Sequence, residues 1–119
     1  MIFFAIKLAN NYASSLVNLK HFEEAKSLLR KMVPMARRVL EEGNELTLRM
    51  QWSYGRALYK DPAATLNDLR EAVTTLEDAE RIARRVLGGT HPTTRWIRYD
   101  LRHTRAAVCA RETQPSRGA

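Results

Sequence analysis

The sequence is short of the residues that punctuate a chain. It holds five glycines and four prolines in 119 residues, too few for a succession of tight turns, so long regular elements are expected to dominate. Strict apolar/polar alternation is scarce, which argues against strands. The single cysteine, Cys109, has no second thiol to pair with inside the chain. A reducing compartment, hence a cytoplasmic location, is the default expectation. His21, His91 and His103 are scattered, without paired Cys/His spacing, so no metal site is expected. No apolar run has membrane-spanning length. The opening "MIFFAIKLA" lacks a basic segment and a small-residue cleavage site, and is not read as a signal peptide. A Gly-rich phosphate loop, a His-Glu-x-x-His pair and a nucleophile motif are also missing, so neither catalysis nor a cofactor is expected.

What the sequence does have is helical patterning. At 45% hydrophobic and 28% charged it reads as one globular domain. The formal net charge is +7, from 20 Lys+Arg against 13 Asp+Glu, which favours acidic partners. Fifteen of the basic residues are arginines, many spaced as solvated helix faces.

Apolar residues recur at helical spacing in five segments. The first spans about residues 2–19, with Phe4, Leu8, Ala9, Tyr12, Ala13, Leu16 and Leu19 in its pattern. The second, about Phe22 to Leu40, contains Pro34, which predicts a bend near Arg30 to Pro34. Gly43 is the expected stop. Asn44 caps the third, whose inner side holds Leu46, Met50, Tyr54, Ala57 and Leu58. The fourth opens either at Asp61-Pro62 or at Thr65 with Asp68. It ends near Leu87, before Gly88-Gly89. His91-Pro92 opens the fifth, which runs to about Ala110, so a helical domain over 1–110 and a disordered tail over 111–119 are expected.

The chain repeats itself. Arg37-Arg38-Val39-Leu40 returns as Arg84-Arg85-Val86-Leu87, and Ala25 as Ala72, a shift of 47. "NNYASSL" aligns weakly with "QWSYGRAL", placing Tyr12 on Tyr54 at a shift of 42. The unit is therefore about 42 residues, with five added near "DPAAT" in the second copy.

A helix–turn–helix unit of this length resembles the tetratricopeptide repeat, in the longer form found in kinesin light chains. "LANNYASSLVNLKHFEEAKSLLRK" resembles a first helix, turn and second-helix start, and "RRVLGGTHPTT" resembles the junction between repeats. The resemblance covers about Ala5 to Arg105. Lys20 stands where the family has a turn glycine, the first repeat lacks His-Pro, and Arg102 stands where a small residue is usual. The implied fold is all-α: a right-handed α-solenoid of antiparallel helix pairs, about two and a half repeats, with the fifth helix as a terminal cap carrying an Arg98, Arg102, Arg105 ridge. The exposed apolar residues Ile2, Phe3, Phe4 and Ile6 would meet a preceding helix or a second copy.

The resemblance also implies a role: a scaffold whose concave wall binds an extended peptide or partner protein. The groove positions fall on Lys7, Asn10, Asn11 and Ser14 of the first helix, and on Arg49, Trp52, Ser53 and Arg56 of the third. The fifth contributes Trp96, Tyr99, Asp100 and His103. Arg49, Trp52 and Arg56 share one helical face, and guanidiniums flanking an indole suit an acidic peptide with an apolar anchor. Asp100 and His103, at i and i+3, read as a surface pair. RNA binding by the same Arg/aromatic wall is the alternative. Against it, acidic residues such as Glu23, Glu41 and Glu77 interrupt the basic ones, so nucleic acid is not the expected partner.

Overall fold

A computed structural model describes residues 2–114. Among them are five helices and no strand: α1 (Ile2–Asn18), α2 (Phe22–Leu40), α3 (Glu45–Tyr59), α4 (Leu66–Val86) and α5 (Pro92–Thr113). Each packs on the next in the chain, as helices joined by short connections must. The next-nearest neighbours differ. The α1 helix also packs on α3, and α3 on α5, whereas the backbones of α2 and α4 do not approach one another. The odd-numbered helices therefore form one continuous layer and the even-numbered ones stand apart behind it. That is a helical solenoid, with extents of 53 × 30 × 22 Å.

Local chemistry accounts for the helix boundaries. The Asn44 side chain accepts a hydrogen bond from the Leu46 N–H at 2.9 Å, capping α3. Between the two possible starts of α4 the structure selects Thr65: its hydroxyl accepts from the Asp68 N–H while the Asp68 carboxylate accepts from the Thr65 N–H, a reciprocal capping box. The α4 helix ends at Gly88, whose φ of +95° suits a residue without Cβ. The end of α2 is a correction. Glu41, not Gly43, takes the left-handed conformation there, at φ +74°. Gly43 instead lies close to α4, where an added Cβ would sit 3.1 Å from Val86 Cγ2. Lys20, at the turn into α2, also has positive φ, +65°, a strain of about 1 kcal/mol for a residue with a side chain. The α2 helix runs on without interruption through Pro34.

The core is continuous along the stack. Ile6, Ala13, Leu29, Ala36, Met50 and Leu58 form its first part, and Leu48, Leu76, Ile82, Ile97 and Leu101 its second. Leu76 is fully buried, worth about 2 kcal/mol relative to exposure. It presses on Gly55, where an added Cβ would lie 2.6 Å from two of its carbons. This is the closest approach α3 offers α4 at a glycine. Lys26 is buried too, between Glu23 at 2.7 Å and Asp61 at 3.1 Å. Burial works against its charge, but hydrogen bonds to the two carboxylates outweigh it and raise the pKa above the usual 10.5.

Two expectations change. Ile6 does not belong to an exposed apolar face: it is wholly buried with Leu29 and Met50. The inward side of α1 is Ile6, Asn10, Ala13, Leu16 and Val17, leaving Phe4, Leu8, Tyr12 and Leu19 outward and exposed. The helical domain also extends past residue 110. Arg111 Nη2 donates to the Ala64 carbonyl at 2.7 Å and Glu112 accepts from Arg70 at 2.8 Å, holding the last turn of α5 against the α3–α4 connection and α4. The remainder of the expected tail, 115–119, lies outside the described residues.

Candidate functional site

The starts of α3 and α5 are tied together, and this sets the register of the inner layer. Pro92 occupies the first turn of α5, and the His91 ring accepts from the Thr93 N–H at 3.1 Å. The Thr93 hydroxyl donates to Glu45 in the first turn of α3 at 3.0 Å. One face of each helix then meets the other at matching heights.

Four side chains stack in consequence. The Trp52 and Trp96 rings lie 5.4 Å apart, inclined by 18°. Arg56 covers the Trp52 ring with its guanidinium carbon 5.0 Å from the centroid, and Arg49 covers Trp96 at 6.0 Å. The sequence along the stack is cation, indole, indole, cation. Each guanidinium is attracted to the ring quadrupole and keeps its N–H edge for hydrogen bonding. Seven residues separate the two arginines on α3, about 10 Å along the axis.

Asp100 holds the stack from below. It is 5% exposed and accepts the Trp52 indole N–H at 2.5 Å on one oxygen and the Tyr59 hydroxyl on the other. Burial and then the bond to Asp100 push the Tyr59 phenol far above its ordinary pKa, so it remains a donor. Asp100 is therefore not the surface partner of His103. The His103 ring meets the Tyr99 carbonyl at 2.9 Å and the Tyr99 ring at 4.3 Å between centroids. Its reach is along its own helix, whereas Asp100 turns inward to α3.

The other expected wall positions are less uniform. Lys7 and Asn11 are exposed on α1. Asn10 is buried, with its side-chain oxygen unpartnered among the described residues. Ser53 is buried as well and pairs with Ser14 across α1 and α3 at 3.3 Å. These two serines join helices rather than offering groups outward. Tyr59 and Asn18 were missing from the expected set. Arg56 reaches the Asn18 side chain at 3.5 Å, linking the stack to α1. Tyr59 falls at i+7 from Trp52, on the same helical face, and that spacing was the available signal. Among the described residues no group of three His, Cys, Asp or Glu side chains is placed to hold a metal ion, and no helix is long and apolar enough to cross a membrane. Cys109 is exposed.

An inner wall of alternate helices with aromatic and cationic side chains defines a helical-repeat protein. The tetratricopeptide repeat family matches residues 6–44, which span α1, its turn and α2. That match covers the first hairpin and supports a tetratricopeptide-type repeat protein. Repeats of this family are non-catalytic and generally mediate protein–protein interaction. No curated protein and no solved structure matches the chain.

Proposed function

We propose that the chain is a non-catalytic protein-binding module whose α1–α3–α5 wall takes an extended acidic peptide. The observation that carries this reading is the Arg49–Trp96–Trp52–Arg56 stack. Arginines pinned on indoles are ordered before a ligand arrives, so less side-chain entropy is lost on binding. Each presents a fork suited to a carboxylate, and Trp and Arg are the residue types that dominate binding hot spots. The lone exposed cysteine supports a reducing, cytoplasmic setting. The "RRVLGGTHPTT" junction supports the longer, kinesin-light-chain-like form of the repeat.

The test is fluorescence anisotropy with a labelled Glu-rich peptide carrying one tryptophan. Replacing both arginines, Arg49→Ala with Arg56→Ala, is expected to weaken binding on the order of 100-fold, since two charge-assisted bonds are lost. Unchanged affinity would remove the wall as the binding surface. Binding of a single-stranded RNA that falls steeply with salt and survives both replacements would favour the nucleic-acid reading instead.

A second contact surface belongs to the same proposal. Ile2, Phe3, Phe4, Leu8, Tyr12 and Leu19 are 49–67% exposed, and Phe4, Leu8 and Tyr12 form one uncharged ridge at i, i+4 and i+8. The far end of the molecule carries Arg98, Arg102 and Arg105, which cannot cover such a ridge cheaply. We read the ridge as a self-association surface pairing with its own copy. Sedimentation of the wild type should give a dimer and Phe4→Glu with Leu8→Glu a monomer. A monomeric wild type ends this reading.

A further inference from the structure

Positive charge collects in the groove between α4 and α5, away from the wall. Arg98, Arg102 and Arg105 follow one another at i, i+4 and i+7, so they share one face of α5 over about 10 Å. Arg84 joins them from α4, and the four arginines with Glu80 and Leu101 line a cavity of about 320 Å³. Like charges at such helical spacings repel. Packing does not call for them either, since a small residue is usual at the Arg102 position of the repeat. Arg98 and Arg105 each stand beside a carboxylate, whereas Arg102 is exposed and has no hydrogen bond or ion pair among the described residues.

Glu80 orders this groove and does not neutralise it. It is 7% exposed and accepts from Arg84 Nε at 3.1 Å and Nη2 at 2.5 Å, while Arg98 Nε stands 3.6 Å away. Arg98 Nη2 donates to the Gly89 carbonyl at 3.2 Å. Glu77 takes Arg105 Nη2 at 2.8 Å. Each of these three guanidiniums is thus held by part of its donor set and keeps further N–H groups. They are within reach of a ligand, because the side chains of Arg84, Arg98 and Arg105 are 62%, 41% and 56% exposed. Four arginines against Glu80 leave a formal +3 in the lining, and +2 once Glu77 is counted.

We propose that this groove binds the phosphoryl group of a phosphorylated serine or threonine on a partner protein. A phosphoryl group carries about −1.5 to −2 at neutral pH, which matches the excess, where one carboxylate would leave half of it. Its three terminal oxygens point in different directions and can be met by guanidiniums from both helices. A carboxylate offers two oxygens in one plane, which a single arginine fork satisfies. Beyond Arg105 the same face of α5 continues as Cys109 and Glu112, and Glu112 is taken by Arg70. The basic strip ends there, which suits a compact anion and not a nucleic-acid backbone. The inference rests on the chain binding proteins but not on the peptide wall, to which none of the four arginines belongs.

The test is titration of isotope-labelled protein with a capped, otherwise uncharged phosphoserine peptide, its unphosphorylated form and its glutamate form, following amide resonances. The phosphoserine peptide is expected to shift the Arg84, Arg98 and Arg102 signals saturably, with Kd about 10-fold lower than for the glutamate form, the worth of one charge-assisted hydrogen bond. Arg102→Ala removes an exposed side chain without a partner and should weaken binding about 10-fold. Arg38→Ala makes the same charge change at an exposed site on α2, which does not pack on α5, and should stay within about twofold. Arg49→Ala with Arg56→Ala should also leave the phosphoserine peptide bound, so failure of the wall and failure of this groove are told apart. The absence of a saturable shift, equal binding of the glutamate form, or equal weakening by Arg38→Ala overturns the proposal. Tighter Arg102-dependent binding of inorganic phosphate or of a single-stranded RNA overturns the phosphorylated partner as the source. The comparison of peptides on the wild type stands even where a variant fails to fold.

Discussion

The two helical hairpins are built on the same apolar frame and finished differently. In the first, α2 begins at His21 without a side-chain cap bond, and both Lys20 and Glu41 sit at positive φ. The outward side of α1 is left apolar and exposed. In the second, Asn44 caps α3, a reciprocal Thr65–Asp68 box caps α4, and Gly88 closes it. The second hairpin is also covered by α5, whose inner side buries Ile97 and Leu101 against Leu48 and Leu76. Yet the family match, over residues 6–44, falls on the first hairpin. The wall's tryptophan stack lies wholly on α3 and α5. Family character and site have thus settled on different units: one keeps the repeat pattern with unrelieved strain, and the other is tied down tightly enough to hold four stacked side chains in register.

This contrast predicts unequal responses to equivalent changes. Leu101→Ala should cost about 3 kcal/mol in denaturant unfolding, because it empties a packed site between α4 and α5. Leu8→Ala, the same chemical change on the exposed side of α1, should stay within about 0.5 kcal/mol in a monomeric sample. Equal losses would erase the distinction. Glu80→Gln is expected to cost about 2 kcal/mol. That carboxylate is 7% exposed and accepts two bonds from Arg84 Nη2, at 2.5 and 2.7 Å, while standing 3.6 Å from Arg98. Thr65→Ala should cost about 1 kcal/mol by opening the α4 cap, whereas His21→Ala should cost less, having no cap bond to lose. Lys20→Gly should instead stabilise by about 1 kcal/mol, relieving the left-handed turn; no gain in thermal midpoint would show that the turn is not strained.

Acid should sharpen the difference from the same direction. The Thr65 N–H, aided by the neighbouring hydroxyl, holds the Asp68 pKa below its usual 3.8. A lowered folded pKa means the unfolded chain binds the proton more readily. The stabilisation is therefore complete above about pH 4 and is lost as pH falls through the folded value. Asp68→Asn should flatten the acid slope of stability in that window, and an unchanged slope would refute the assignment.

Much of the frame was readable because short-range chemistry sets it. Gly88-Gly89 followed by His91-Pro92 marks a helix end and a start within five residues, and both fall where the pattern puts them. The inward side of α1 was harder to read, since Ile2, Phe3, Phe4, Ile6, Leu8, Ala9, Tyr12 and Ala13 leave it apolar around most of its circumference, and periodicity cannot then choose a face. The Arg49, Trp52, Arg56 face was legible from spacing on one helix. Its completion by Trp96 was not, because that depends on α3 and α5 meeting at one height across more than forty residues. Asp100 was paired with His103 on local spacing, while its partners Trp52 and Tyr59 come from another helix.

The spacing of the even helices has a mechanical consequence. The front layer is braced helix against helix, whereas among the described residues the side-chain hydrogen bonds that span α2 and α4 across the back are the Arg37–Asp78 pair and the Arg30–Tyr54–Glu71 chain. Stiffness is therefore concentrated on one surface and compliance on the other, as in a strip with a rigid facing and an articulated backing. Flexure should change the gap between α2 and α4 first, altering the curvature of the whole stack while the indoles on its front stay in contact.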